Sequence, residues 1–161
     1  MSELAFVSPG EARAEAGFSP RVASPLARAL DGADGLRDLS LLGKVEVRGA
    51  LDELPADVEI LRITPRRALV VCAPERCAEV IESTSALALD MTSALAGIEL
   101  EGDRLFRRLT DLDPTALPAA GKVAGVPALV AGGEGSYRIF FPQEYGHSVV
   151  EAVRDLQEGL A

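Results

Sequence analysis

Apolar and polar positions alternate in two stretches of this chain, and both stretches are entered in the same way. The step Asp38-Leu39-Ser40 leads through Leu41-Leu42-Gly43 into Lys44-Val45-Glu46-Val47-Arg48 and closes on Gly49. The step Asp90-Met91-Thr92 leads through Ser93-Ala94 into Leu95-Ala96-Gly97-Ile98-Glu99-Leu100-Glu101 and closes on Gly102, one residue longer. An aspartate followed by a hydroxyl residue bonds nearby backbone amides and turns the chain. Strict alternation then gives a strand one face for a core and one for water. The repeated unit predicts an α+β domain of two lobes, each built on a strand-helix unit.

The remaining pattern fills in those lobes. Ser24-Pro25-Leu26 opens a short helical segment that Gly32 and Gly35 end. Residues 58–63 and 67–72 read as strands around Thr64-Pro65-Arg66, where proline suits the second turn position because its φ is already set. Pro74 starts a helix with Glu75 and Glu79 near its positive end, and positions 77, 80, 81 and 84 step as one buried face requires. In the second half, Gly102-Asp103 begins a helix with Leu105, Phe106 and Leu109 inward, ended by Asp111-Leu112-Asp113-Pro114. Residues 123–126 and 128–131 are short strands on either side of Pro127. Gly132-Gly133-Glu134-Gly135 then turns the chain into a strand at 137–141. Beyond Pro142 a last helix carries Tyr145, Val149, Val153, Leu156 and Leu160 as one apolar stripe. Strands cluster before helices in both halves, which favours α+β lobes over a doubly wound parallel sheet.

Composition narrows the setting. With 161 residues, 48% of them hydrophobic and 4% aromatic, the chain has one domain's worth of aliphatic core. Residues 1–23, rich in Ala, Ser, Pro, Gly and Glu, read as a flexible tail, and 24–161 as the domain. A formal charge of −9 argues against nucleic acid or an anionic membrane as the main partner. Arg104, Arg107 and Arg108, flanked by Asp103, Asp111 and Asp113, read as a solvated helix face. No apolar run reaches the roughly 20 residues of a membrane span, and the plain reading is a cytoplasmic protein.

Candidate chemistry is sparse. Cys72 and Cys77 fit neither a redox CxxC pair nor half a zinc site, and both read as core thiols. His147 is the only histidine. It reads as a surface residue, because neighbouring Ser148 points about 100° away around the helix and cannot complete a triad with it. Asp111 and Asp113 carry a turn signature rather than the contrasting environments that acid-base pairs require. Gly132–Gly135 lacks the following helix that a phosphate cradle needs, so a hairpin is favoured. No residue is assigned to catalysis, cofactor or metal.

The order and spacing of several pieces resemble the gamma subunit of heterotetrameric sarcosine oxidase. They are Ser24-Pro25-Leu26, Gly35-Leu36-Arg37-Asp38-Leu39, Leu42-Gly43-Lys44, Arg48-Gly49, Leu89-Asp90-Met91-Thr92, Asp111-Leu112-Asp113 with Leu117-Pro118, and Tyr137-Arg138-Ile139. The resemblance covers residues 24–156 and departs at Thr64-Pro65-Arg66-Arg67-Ala68. It brings with it a kinship to the folate-binding domain of the glycine-cleavage T-protein. By that kinship Leu54-Pro55-Ala56-Asp57-Val58-Glu59 stands where the T-protein has its catalytic aspartate, without the paired aspartates. Arg138 stands where the T-protein has a glutamate that helps hold the pterin.

The resemblance implies a non-catalytic accessory subunit of an oxidoreductase complex, without a complete active site of its own. That complex would demethylate sarcosine to glycine, reduce oxygen to hydrogen peroxide and pass the one-carbon unit to tetrahydrofolate. FAD, FMN, NAD and zinc would reside on other subunits. This chain would pack against the alpha subunit and, through it, join beta and delta. Two alternatives stay open: a stand-alone folate-binding or aminomethyl-transfer protein, and a subunit of another methylated-amine oxidase complex.

Overall fold

The computed structural model describes residues 23–160; residues 1–22 of the tail predicted over 1–23 lie outside it. Two antiparallel sheets and three α-helices make up the domain. The strands are β1 (Leu36–Asp38), β2 (Gly43–Arg48), β3 (Glu59–Thr64), β4 (Arg67–Cys72), β5 (Leu87–Asp90), β6 (Leu95–Glu101), β7 (Ala119–Val123), β8 (Val126–Gly133) and β9 (Ser136–Pro142). The helices are α1 (Cys77–Glu82), α2 (Asp103–Leu109) and α3 (Gly146–Glu158). One sheet runs β3-β4-β2-β5 and the other β1-β6-β9-β8-β7. The connections match: β5-β2-β4-β3 in one sheet corresponds to β1-β6-β9-β8 in the other, with α1 after β4 and α3 after β9. The larger sheet adds α2 and β7.

The sheets face each other and the helices cover their outer sides. Val45, Val47 and Val70 meet Cys77 and Val80 of α1 on one outer face. Ile98, Leu100, Ile139 and Phe141 meet Phe106 of α2 and Val149 and Val153 of α3 on the other. Between the sheets lie Leu61, Leu69 and Val71 against Leu129, Ala131 and Phe140. The strands β2, β4, β8 and β9 are therefore buried on both faces. That overturns the expectation of a water face on β2: Lys44 and Glu46, the polar half of its alternation, are 0% and 8% exposed. Alternation is a property of the single strand, whereas the second sheet that covers it comes from residues some fifty to one hundred positions away in the sequence.

Other expectations shift for local reasons. Residues around Ser24-Pro25-Leu26 form hydrogen-bonded turns rather than a helix, with Leu26 N donating to Ser24 Oγ at 3.0 Å and Leu30 N to Leu26 O at 2.9 Å. Leu26 is fully buried against Gly146, where a Cβ would stand 2.4 Å from Leu26 Cδ2. The turn expected at Pro127 falls at Ala124-Gly125, with φ of 49° and 79°. Pro127 sits inside β8, beyond the reach of β9, where its missing N–H costs no ladder bond to that strand. The loop at 132–135 is a hairpin as expected: Glu134 and Gly135 have φ of 54° and 89°, the positive pair that a two-residue turn demands. In α3, Val149 and Val153 are buried as expected, but Tyr145 is 43% exposed because the α-helix begins one residue later, and Val150 takes the inward place. The inward set of α2 is buried as expected, with Phe106 stacked on Tyr137 at 3.9 Å between ring centres.

Gly132 is where the β8-β9 hairpin is most constrained. Its φ is +107°, and a Cβ there would lie 2.3 Å from the Ser136 carbonyl oxygen. Both strain and collision fall on backbone atoms, so Gly132→Ala is expected to destabilise the protein by about 2 kcal/mol or more. Chemical denaturation of wild type and variant measures this, and Gly125→Ala, where a Cβ meets nothing within 4 Å, reports the φ strain alone.

Candidate functional site

The two Asp-hydroxyl steps meet between the sheets. Each is an Asx turn: Asp38 Oδ1 accepts from Ser40 N and Asp90 Oδ1 accepts from Thr92 N, both at 2.8 Å. Each hydroxyl then bonds the strand launched by the other step. Gly97 N donates to Ser40 Oγ at 3.2 Å, and Lys44 N donates to Thr92 Oγ1 at 3.0 Å. The backbone repeats the exchange, with Leu39 N donating to Gly97 O at 2.8 Å and Met91 N to Lys44 O at 2.7 Å. The steps also exchange sheets. β1 belongs to the larger sheet and β2 to the smaller, while β5 belongs to the smaller and β6 to the larger. The result is a reciprocal clasp at the crossing of two chain segments.

Lys44 lies buried at this crossing. Its Nζ donates to the carbonyls of Ser40 (2.7 Å) and Leu42 (2.6 Å) and, among the described residues, has no carboxylate bonded to it. Burial pulls its pKa below the ordinary lysine value, while Cys77, Asp90 and Asp38 act the other way. On the same face, Glu46 Oε1 accepts from Arg48 Nε and Arg67 Nε, both at 2.7 Å. Burial alone would raise the Glu46 pKa, but the two guanidinium hydrogen bonds outweigh it and hold the carboxyl below its ordinary value. Beside Glu46 and Arg67 the sheets part into an open cleft of about 310 Å3, walled by Met91, Leu95, Leu129, Phe141 and Pro142.

The positions singled out in the sequence distribute as follows. Glu59 of β3 and Arg138 of β9 meet across the sheets, both terminal nitrogens of the guanidinium donating to the two carboxylate oxygens. Asp57 instead pairs with Arg76 at 2.7 Å on the surface. Cys72 and Cys77 are reduced, with sulfurs 4.0 Å apart, and Cys77 Sγ lies 3.5 Å from Thr92 Oγ1. Burial and the neighbouring Cys77 push the Cys72 thiol up to about 11, so it remains a thiol at neutral pH and a poor nucleophile. His147 and Glu151 form an exposed pair at 3.1 Å, and Ser148 is exposed. Asp113 caps the short turn at Pro114–Ala116 by accepting from Thr115 N at 2.9 Å, as a turn residue does. Among the described residues, no group of three or more His, Cys, Asp or Glu could hold a metal ion. No motif in the sequence marks Glu46 and Arg67, which form the polar wall of the cleft, or Lys44 at the crossing. The one available signal was that Lys44 and Glu46 share the polar side of an otherwise apolar strand.

Two outcomes test this geometry. Ser40→Ala and Thr92→Ala each leave a buried backbone N–H without its acceptor and are expected to cost about 1–3 kcal/mol in denaturant unfolding. Asp113→Ala, which removes a comparable bond at the surface, should cost less than either. For Glu46 the linkage is that of a carboxylate with a lowered folded pKa. Its contribution is present above the ordinary glutamate range and is lost as pH falls through the folded value. Unfolding midpoints of Glu46→Gln should therefore fall less than those of wild type on acidification below about pH 5.

No protein-family model and no curated protein matches the sequence. Solved structures share its fold. A chain of the heterotetrameric sarcosine oxidase from Corynebacterium sp. U-96, in complex with pyrrole 2-carboxylate, is similar over 83% of this chain and 95% of its own, with a TM-score of 0.65 and 18% identity. The regulatory subunit of aspartate kinase from Thermus thermophilus, in its ligand-free form, is similar over 75% of this chain and 96% of its own, with a TM-score of 0.50 and 13% identity. A chain of the aspartokinase alpha and beta subunits is similar over 77% and 93%, with a TM-score of 0.50 and 10% identity. At these identities the likeness is one of fold, and it includes the complex whose family the sequence resembles.

Proposed function

We propose that this chain is an accessory, non-catalytic subunit of a heterotetrameric sarcosine oxidase, corresponding to its gamma subunit. The observation that carries this reading is the fold likeness to a chain of such an enzyme over 95% of that chain's length. It coincides with the family resemblance of the sequence. In this reading the chain packs against the alpha subunit, which links it to beta and delta in the cytoplasm. FAD, FMN, NAD and zinc sit on those subunits, which demethylate sarcosine and deliver the one-carbon unit to tetrahydrofolate. The matching strand order of the two sheets supports the kinship with the T-protein fold. The Glu59–Arg138 pair supports an accessory role, since two groups that satisfy each other leave no charge over for a pterin.

The surface suits an interface. Among the described residues β5 is an edge strand, paired with β2 alone, and so offers unpaired backbone donors and acceptors. Leu87 and Leu89 on that strand are 56% and 41% exposed on one side, and alternate residues of a strand share a face. Co-expression with the alpha, beta and delta subunits, followed by affinity capture on this chain, is expected to recover a flavin-bearing complex active on sarcosine. Leu87→Lys with Leu89→Lys should reduce that recovery at least tenfold while the circular dichroism spectrum of the chain is unchanged. A chain that never captures alpha, or one that binds tetrahydrofolate at micromolar concentration by itself in calorimetry, overturns the reading.

A further inference from the structure

The cleft between the sheets has a chemical character that the accessory role does not use. Of the residues lining it, only Glu46 and Arg67 are charged; the rest include Met91, Leu95, Leu129, Phe141 and Pro142. Arg67 spends one nitrogen, Nε, on Glu46, and among the described residues its two terminal nitrogens bond no other side chain. Arg48 also donates to the same Glu46 oxygen. Two guanidinium groups thus share one carboxylate oxygen; the cleft lining itself carries one charge of each sign, and Arg48, bonded to Glu46 from outside the lining, adds a positive charge in a chain whose formal charge is −9.

We infer that this cleft binds a small apolar monocarboxylate, its carboxylate on the terminal nitrogens of Arg67 and its hydrocarbon part against Met91, Leu95 and Phe141. A planar guanidinium with two parallel N–H donors matches a carboxylate in a bidentate fork. A cavity near 300 Å3 is at the lower end of those that hold small ligands, which are mostly apolar with a few placed polar groups. The same charge balance disfavours a free amino acid. Glu46 is already engaged by two cations, so an ammonium group beside the carboxylate would meet their combined positive charge with a single carboxylate to offset it. Pairing with Glu46 also pre-orients Arg67, so binding need not immobilise a freely rotating side chain. The inference rests on the cleft alone and is independent of the accessory-subunit reading.

The test is saturation-transfer NMR and calorimetry on the full chain, with 4-methylpentanoate and phenylacetate as probes. Both are expected to bind. The amide 4-methylpentanamide and the amino acid leucine are expected to bind at least tenfold more weakly, since each changes the head group and keeps the apolar tail. Arg67→Gln should weaken the carboxylates about tenfold or more and leave the amide unchanged; thermal unfolding of the variant confirms that it is folded. The comparison of carboxylate with amide on the wild-type chain stands even if that variant does not fold. No binding at millimolar concentration overturns the proposal, as does equal binding of acid and amide. Resonances of the cleft that shift with protein concentration instead of with ligand would make a second copy the occupant and overturn it equally. Loss of binding here leaves capture of the alpha subunit untouched, so the two readings fail separately.

Discussion

Two chain segments cross between the sheets of this protein, and every larger feature depends on that crossing being tied. A strand that leaves one sheet for the other must abandon a ladder of backbone partners and find new ones in the gap, where no water is at hand. Here each segment is turned by its own aspartate and supplies, through its hydroxyl, the acceptor that the other segment's strand lacks. Asp38 and Ser40 serve Gly97, and Asp90 and Thr92 serve Lys44. The reciprocity makes the register of each sheet contingent on the other. A slip of one residue in either would leave two amides without partners and turn the alternating face of a strand inside out.

The clasp explains why charged side chains lie so deep. Residues that follow a crossing point away from α1 into the space between the sheets, and on β2 these are Lys44 and Glu46. Each finds a different solution. Lys44 donates to two carbonyls of the loop it follows, Ser40 O and Leu42 O, and so braces the turn that Asp38 starts. Glu46 takes two guanidinium groups from strands β2 and β4. The consequences for titration are opposite in origin. Burial favours the neutral lysine, so the folded state gains relative stability as pH rises toward the ordinary lysine range, whereas Glu46 contributes only while it is ionised.

Much of the fold is legible in the sequence because its signals are local. The Asx steps, the Pro65 turn, the glycine-rich hairpin before Tyr137 and the inward set Leu105, Phe106 and Leu109 each depend on residues within a few positions of one another. What fails is non-local. Alternation at Lys44-Val45-Glu46-Val47 identifies a strand but cannot tell that both its faces are covered, because the covering residues, Leu129 and Phe140 among them, come from the other half of the chain. Pro127 shows the same limit in reverse: proline marks a break unless the tertiary context leaves its N–H position unpaired, as the short reach of β9 does here. The meeting of Glu59 with Arg138 lies 79 positions apart in sequence, and no spacing rule connects them.

The candidate site was the least legible part, and the reason is physical. Catalytic signatures are read from groups clustered in sequence, whereas this site is a gap between two sheets whose chemistry comes from an ion-paired arginine and an aliphatic wall. Neither residue type is diagnostic alone. Arg67 stands out only once Glu46 is known to be buried beside it, because a carboxylate in that position needs cations, and a second cation beyond what it needs leaves positive charge at the mouth of an apolar cleft. β5 is short, paired on one side among the described residues and carries two exposed leucines, and because Leu89 lies opposite Glu46 in the ladder those leucines share the face on which the cleft opens. Among the ion pairs, Glu59–Arg138 reaches from one sheet to the other, whereas Glu46 is paired within its own sheet, which leaves the terminal nitrogens of Arg67 at the cleft.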